Sequence, residues 1–395
     1  MMNSYGNTKK RHKKKGTDSQ KKAKLSIQPC RTPLQSALAF HQQGRFNEAE
    51  TLYREILQSY PQHFDALQLL ATLNAQQNRY DESLKLFDQA LAINPDHPST
   101  LNNFGNALSE LKRHEEALVN YEKAIALQPD YAEAYANHGK ALQELKRYEE
   151  ALKSFNQALK LNTNYAEAYT NRGITFHRLK RYEEALVNYQ QAIALNPASA
   201  EVYSAQGITL YDLQRYHEAL DSYDRAIVLN PDCAQTYSNR GLALQELKRQ
   251  QEALVSYDKA IMRSPGYAQA YSNQGNTLFD LNRYNEALAS YEKAIELKLD
   301  YTDAFYNHGT ILSELKRYEE ALSCYEKALT LQPDYEYLCG TYINTRMRMC
   351  HWNDIAQHIS RCLEKIALQE KASLPFPLLA LVDSPTLHKK TADIY

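Results

Sequence analysis

Several things are missing from this 395-residue chain, and each absence closes off a class of function. No apolar run approaches about 18 residues and no apolar segment follows the basic start, so neither a membrane span nor a secretory signal is supported. A cytoplasmic location is the default expectation. The six cysteines, Cys30, Cys233, Cys324, Cys339, Cys350 and Cys362, lack paired spacing, which points to reduced thiols in packed helices rather than disulfides. Glycine-rich phosphate loops, nucleophile elbows and metal-spaced Cys/His clusters are absent too. Cys350 with His351, and His358 with Cys362, have no further ligands, and their apolar neighbours suit core positions better than a metal or catalytic pair. No catalytic residue, metal or cofactor is expected, and the chain as it stands does not read as an enzyme.

What the chain does contain is a ruler. Gly105, Gly139, Gly173, Gly207, Gly241, Gly275 and Gly309 lie 34 residues apart. Ala117, Ala151, Ala185, Ala219, Ala253, Ala287 and Ala321 keep the same register, as do Ala124 through Ala328 and Pro129, Pro197, Pro231, Pro265 and Pro333. Extended backwards through Ala71 and Ala37, the register tiles residues 30–335 with nine units. Length alone would suggest two or three domains, but the uninterrupted period argues for one elongated solenoid.

Each unit reads as two helices. In the third, Leu101, Phe104, Gly105 and Leu108 share one helical face, Lys112-Arg113-His114 makes a polar turn, and Ala117, Tyr121, Ala124 and Ile125 mark the second face. Proline closes the pair because it lacks the donor that another helical turn would need. At Asp130-Tyr131-Ala132-Glu133 the aspartate is expected to cap the next helix while the glutamate reaches back. Small residues are placed where the two helices cross, and aromatics between neighbouring pairs. A lone pair cannot bury its apolar stripe, so the units must stack.

Small residues at unit positions 8, 20 and 27, an aromatic at 24 and proline at 32 resemble the tetratricopeptide repeat, over about three quarters of the chain. The resemblance implies an all-α, right-handed superhelical solenoid whose first helices line the concave face. It also implies protein or peptide partners.

At about 100° per residue, positions 2, 6, 9 and 13 face away from the buried stripe and should form the open surface. Position 6 is asparagine in Asn103, Asn137, Asn171, Asn239, Asn273 and Asn307, interrupted by Ala205. Asparagine is a mediocre helix former, about half a kcal/mol worse than alanine, so its recurrence has no evident folding benefit. Duplication can copy neutral residues, yet position 9 varies freely across the same copies, from Asn106 and Lys140 to Ile174, Ile208 and Leu242. An amide offers two donors and an acceptor and so suits the repeating groups of an extended peptide backbone. Position 13 is acidic in Glu110, Glu144, Asp212, Glu246, Asp280 and Glu314, with Arg178 the exception. Those acids make a groove that prefers neutral or basic segments, although ordinary solvated helix charges account for them about as well.

Arg45 through Arg317, at position 16 of all nine units, read as turn and packing residues, and most of the thirty tyrosines fall in register and read as structural. Residues 1–31 hold ten Lys or Arg against Asp18 alone, a net +9 in a chain of net −1, which leaves −10 for the rest. Residues 1–29 therefore read as a basic disordered tail, either a solvated leader or a contact for nucleic acid or anionic lipid. Without interleaved aromatics, and with an acidic body, nucleic acid is a poor main ligand, and membrane or nucleic acid is expected only through this tail.

Residues 336–368 read as a degenerate capping helix pair, with Cys350-His351-Trp352 at its turn and Ile355, Ile359, Leu363 and Ile366 on one face. Residues 369–395 form a junction segment whose helical periodicity breaks at Ser373–Leu381 and resumes after Leu387. His351-Trp352, Pro375-Phe376-Pro377-Leu378-Leu379-Ala380-Leu381, Asp383-Ser384-Pro385 and Ala392-Asp393-Ile394-Tyr395 resemble the junction before the catalytic region in bacterial O-linked N-acetylglucosamine transferase and SPINDLY-like proteins. That resemblance implies that the repeats present polypeptides to a glycosyltransferase and that the asparagine ladder holds their backbone. Ala205, Leu69 and Gln35 depart from the ladder. The chain stops at Tyr395, before any doubly wound sheet that would bind a nucleotide sugar. The expectations are thus a scaffold for extended polypeptides, with a separate glycosyltransferase as a partner, or the front part of a protein O-glycosyltransferase whose catalytic domain lies beyond this chain. Tail-mediated binding to nucleic acid or membrane is the third.

Overall fold

The computed structural model describes residues 32–379 and 382–394; Cys30 and the basic segment through Arg31 lie outside them. All regular elements among the described residues are helices. The chain divides into two compact units, one ending at Arg113 and one starting at His114. The first unit contains α1 (Pro33–Gln42), α2 (Phe46–Ser59), α3 (Phe64–Gln76), α4 (Tyr80–Ile93) and α5 (Pro98–Glu110). The second begins with α6 (His114–Leu127), α7 (Ala132–Glu144), α8 (Tyr148–Leu161), α9 (Ala166–Arg178), α10 (Tyr182–Leu195), α11 (Ala200–Asp212) and α12 (Tyr216–Leu229). It continues with α13 (Ala234–Glu246), α14 (Gln250–Arg263), α15 (Ala268–Asp280), α16 (Tyr284–Leu297), α17 (Thr302–Glu314) and α18 (Tyr318–Leu331). Four shorter or less regular helices close it: α19 (Leu338–Arg348), α20 (Ile355–Ala367), α21 (Pro375–Leu379) and α22 (Pro385–Ile394).

From α7 to α18 each helix packs on its neighbours in chain order. The first helices of successive pairs also touch, α7 on α9, α9 on α11, α11 on α13, α13 on α15 and α15 on α17. No comparable contact joins the second helices among the described residues. Within this unit the first helices therefore lie on the inner side of the stack.

In six pairs of the second unit one ring crowds the glycine. Phe155, Tyr189, Tyr223, Tyr257, Tyr291 and Tyr325 lie over Gly139, Gly173, Gly207, Gly241, Gly275 and Gly309 of their own pairs, where a Cβ would come within 2.5–2.9 Å of a ring carbon. The aromatics at this position thus fill the crossing inside a pair rather than only the gap between pairs, correcting the expectation from sequence. Their rings are fully buried, worth about 1.5–3 kcal/mol each in removed apolar surface. The Tyr257 hydroxyl donates to Gln245 Oε1 of its own pair at 3.2 Å, and Thr277 of the next pair donates to the same oxygen at 3.1 Å.

The turn between paired helices is a repeated left-handed cap. Lys146 has φ of 60°; its N–H donates to Gln143 O, and the Arg147 N–H donates back to Leu142 O at 2.9 Å. That bond pattern satisfies carbonyls the helix end would leave open. Gly44 holds the equivalent place in the first copy, whereas Asn78, Lys112, Lys180, Gln214, Lys248, Asn282 and Lys316 hold it elsewhere at φ between 58° and 63°. Each following arginine opens the second helix. Arg147 pairs with Glu150 at 2.8 Å and approaches Glu115 of the preceding pair at 3.8 Å, so this residue stitches neighbouring copies as well as lining the turn.

The proposed cap at Asp130 is not formed. The residue flanking α7 is Tyr131, with no side-chain cap bond, because Asp130 sits one position too early. The reciprocal capping box occurs instead at α1, between Thr32 and Gln35.

Helices α19 and α20 form a pair whose turn carries Cys350, His351 and Trp352. Ile366 is buried, with Ile355, Ile359 and Leu363 packed on the same cluster as Cys339, Ile343, Cys362, Ala372 and Leu378. The segment after α20 folds back over this pair: the Gly340 N–H donates to Ala372 O at 2.9 Å, and Leu387 and Ile394 of α22 join the cluster.

Candidate functional site

The recurrent asparagines all lie on first helices, but they are not equivalent. Asn103, Asn137, Asn171, Asn239 and Asn307 are half-buried rather than openly exposed, and Asn273 is buried. Asn273 Nδ2 donates to Ser238 Oγ at 3.3 Å while its Oδ1 accepts from Gln269. Asn307 Nδ2 donates to Asn276 Oδ1 at 3.0 Å. Both therefore tie one first helix to another residue of the scaffold. Asn137 is engaged as well. Asn103, Asn171 and Asn239 have side-chain amides without a partner among the described residues, and Asn103 and Asn239 line open grooves.

The acids are uniformly exposed: Glu110, Glu144, Asp212, Glu246, Asp280 and Glu314 each form the last residue of a first helix. A helix C-terminus carries partial negative charge, so an acid there is disfavoured by about 0.3–1 kcal/mol at low salt. Three are tied to the preceding pair. His177 Nε2 lies 2.7 Å from Asp212 Oδ2, and Gln245 donates to Asp280 at 3.5 Å. Tyr211 stands beside Glu246, and burial, with that carboxylate, pushes its hydroxyl up to about 12. Glu144 and Glu314 have no such partner among the described residues.

One recurring set was not legible in the sequence. The residue just before five of the glycines reaches both ways along the chain, to the second helix of its own pair and to that of the pair before, while Gln206, among the described residues, reaches only Ser222 of its own pair. Arg240 Nε donates to Asp224 at 2.6 Å and its Nη1 to Ser256 at 2.8 Å. Arg172 bonds Asn188 and Asn156, and Gln274 bonds Asp258 while accepting from Ser290. His138 contacts Ser154 at 2.9 Å and faces Glu122 at 3.6 Å; His308 likewise contacts Cys324 and faces Glu292. Because residue type changes from copy to copy, position-by-position reading saw variation where there is a matched ladder.

The Cys/His combinations at the C-terminal end do not come together as a site. Cys350 is exposed, Cys362 is buried beside Cys339, and His358 meets Tyr342 edge to face with ring centroids 5.2 Å apart. The neighbouring Cys339 thiol and burial push the Cys362 thiol up. Cys233, Cys324, Cys339, Cys350 and Cys362 are free thiols. Among the described residues there is no group of three or more metal-ligating side chains, and no helix is long and apolar enough to cross a membrane.

Tetratricopeptide repeat models match residues 40–103, 96–164, 166–199, 234–267 and 302–335, and a TPR repeat model matches 207–248 and 275–315. No curated protein matches the chain. Among solved structures it is similar to YrrB, described as a TPR protein with an unusual peptide-binding site, at 27% identity and a TM-score of 0.40 over 47% of this chain and 95% of that one. A tetratricopeptide repeat protein from Parabacteroides merdae matches at 19% identity and a TM-score of 0.51, covering 62% of this chain and 97% of that one. The Cut9–Hcn1 hetero-tetramer of APC/C matches at 13% identity and 0.52, covering 78% and 74%. These last two share the fold. With family matches running from residue 40 to residue 335 over the stacked helix pairs, the chain belongs to the tetratricopeptide repeat family.

Proposed function

We propose that this chain is a protein-interaction scaffold that binds extended polypeptide segments along the inner face of its first helices. The observation that supports it most is the set of acids ending five first helices of the second unit, Glu144, Asp212, Glu246, Asp280 and Glu314. Glu144 and Glu314, which have no partner from the preceding pair among the described residues, oppose the helix dipole without such compensation and suit a basic or neutral partner. Within the second unit, Asn171 and Asn239 supply unpartnered amides on the same face, able to donate to and accept from a peptide backbone whatever its side chains. Weak contacts repeated along the stack would add through avidity.

The test is titration of fluorescent extended peptides against the parent and an Asn171→Ala/Asn239→Ala variant, with folding checked by circular dichroism. The reading predicts weaker binding in the variant; unchanged affinity removes the ladder.

The finer reading, in which the bound segment is handed to a glycosyltransferase, rests on the sequence resemblance of His351-Trp352 and the Pro375–Leu381 stretch. Reading the DNA that follows the Tyr395 codon in every frame tests it: a glycosyltransferase domain there supports it, and an unrelated gene removes it.

A further inference from the structure

Between Asn103 and Asn307 the break in the asparagine register and the break in the acidic register meet in a single groove. Where neighbouring copies have asparagine, α11 has Ala205; where they have an acid, α9 ends in Arg178. Both residues line a groove of about 590 Å³. Ala205 carries no side chain past Cβ, so the floor is left to Ile174 and Ile208, which are half-buried and packed on the core beneath. Asn239 forms one wall, and Asn171 lies in the copy that supplies Ile174 and Arg178.

The charges are divided by position. Arg178 is exposed and makes no hydrogen bond or ion pair with any described residue. It stands in the last turn of α9, where helix polarity favours a cation. His177 beside it lies 2.7 Å from Asp212. The groove's other charge, Glu201, is in the first turn of α11. Since α9 and α11 hold equivalent places in successive copies, Glu201 and Arg178 lie toward opposite ends of the groove. One end is therefore cationic, whereas α7, α11, α13, α15 and α17 each end in an acid.

We propose that this groove is a specificity pocket for a polypeptide segment that places an apolar side chain over Ala205 and an acidic side chain against Arg178. The proposal rests on the scaffold reading above and sharpens it. Asparagine amides grip backbone without regard to sequence, whereas this pocket selects sequence. The apolar side chain gains the usual burial against Ile174 and Ile208. The acidic one finds the unpaired cation on this stretch of the face and would be repelled by the acids at the ends of α7, α13, α15 and α17. That difference sets the register in which a segment lies.

The experiment uses the full chain and fluorescein-labelled peptides of about twelve residues, built on a Gly/Ser/Ala background with a central leucine. One series carries a single aspartate two residues before or after the leucine, a second replaces that aspartate by asparagine, and a third replaces the leucine by serine. In low salt the better aspartate peptide is expected to bind about tenfold more tightly than its asparagine and serine counterparts. Arg178→Glu, which restores the residue class of the other copies and so leaves the helix intact, should abolish or reverse the aspartate preference. Ala205→Asn, which restores their asparagine, should remove the leucine preference.

Equal binding of all series by the parent, or an aspartate preference that survives Arg178→Glu, overturns the pocket. If all series bind equally but Asn171→Ala/Asn239→Ala weakens them together, the scaffold reading stands and the pocket alone fails. If the Arg178-dependent preference persists while the asparagine variant binds normally, the pocket stands and the ladder fails. Failure of every peptide to bind removes both.

Discussion

The ring of Tyr223 occupies the place a β-carbon on Gly207 would need, with Tyr223 Cε1 only 2.5 Å from it. Alanine is the better helix former by about 1 kcal/mol, so propensity alone would favour the substitution. Tyr223 is fully buried in the pair crossing and cannot move aside without loosening its neighbours. Overpacking of this kind costs about 1–3 kcal/mol. Gly207→Ala should therefore lower the midpoint of thermal unfolding. Gly266→Ala, where nothing lies within 4 Å of the new Cβ, should leave it unchanged, and equal midpoints for the two variants would contradict the crossing geometry.

At the turn the logic reverses. Lys146 holds φ of 60° at the end of α7, a conformation that strains an L side chain and not glycine. Lys146→Gly should stabilise by up to about 1 kcal/mol, read as a shift of the urea midpoint. A destabilised variant would mean that the lysine side chain does more than tolerate the turn.

Acid should weaken the ladder that contains His138 and His308. Burial holds both imidazoles below their ordinary value of 6.5, against the opposing pull of Glu122 and Glu292. The groups facing His138 are Glu122, Ser154, Arg147 and Glu150. A lowered folded value means the unfolded chain takes up the proton first. The contribution to stability is therefore present above about pH 6.5 and is lost as pH falls below that. His138→Gln, which copies Gln206 beside Ser222, should flatten the pH dependence of stability between neutral and mildly acid solution. An unaltered profile would assign the acid sensitivity elsewhere.

The recurrent asparagines should separate into two classes. Removing the Asn273 amide breaks its bond to Ser238 in a buried setting, which costs about 1–3 kcal/mol of stability. Asn171→Ala breaks no such bond and should leave stability nearly unchanged while weakening peptide binding. Equal stability losses would erase the distinction.

Glu314 ends α17 at the unfavourable pole of its dipole. Glu314→Lys should stabilise the fold by about 0.3–1 kcal/mol at low ionic strength, fading with added salt. The same change should weaken binding of basic peptides. Stability that falls instead would indicate a partner for Glu314 that the helix-end argument lacks.

Two levels of the molecule were differently legible. The period of Gly105 through Gly309, with alanines and prolines in step, specified paired helices, because each residue acts on its own helix or on a partner at a constant offset. Ile355, Ile359, Leu363 and Ile366, which the sequence puts on one helical face, pack on one cluster. The predicted cap at Asp130 failed because a shift of one residue decides whether a side chain reaches a helix end, and periodicity is blind to that shift.

The site was only half legible. Sequence alone picked out the asparagines at position 6 and the acids at position 13, because recurrence against an intrinsic disadvantage is visible in one dimension. Tertiary structure decided which of them are available. Asn273 and Asn307 spend their amides on Ser238 and Asn276, while Asn171 and Asn239 do not. It also brought Ala205 and Arg178, two isolated departures from the pattern, into one groove. A hydrogen-bond partner contributed by another helix pair depends on distances that no local pattern encodes, so the repeat determined where a surface would be and the packing determined what that surface has left to offer.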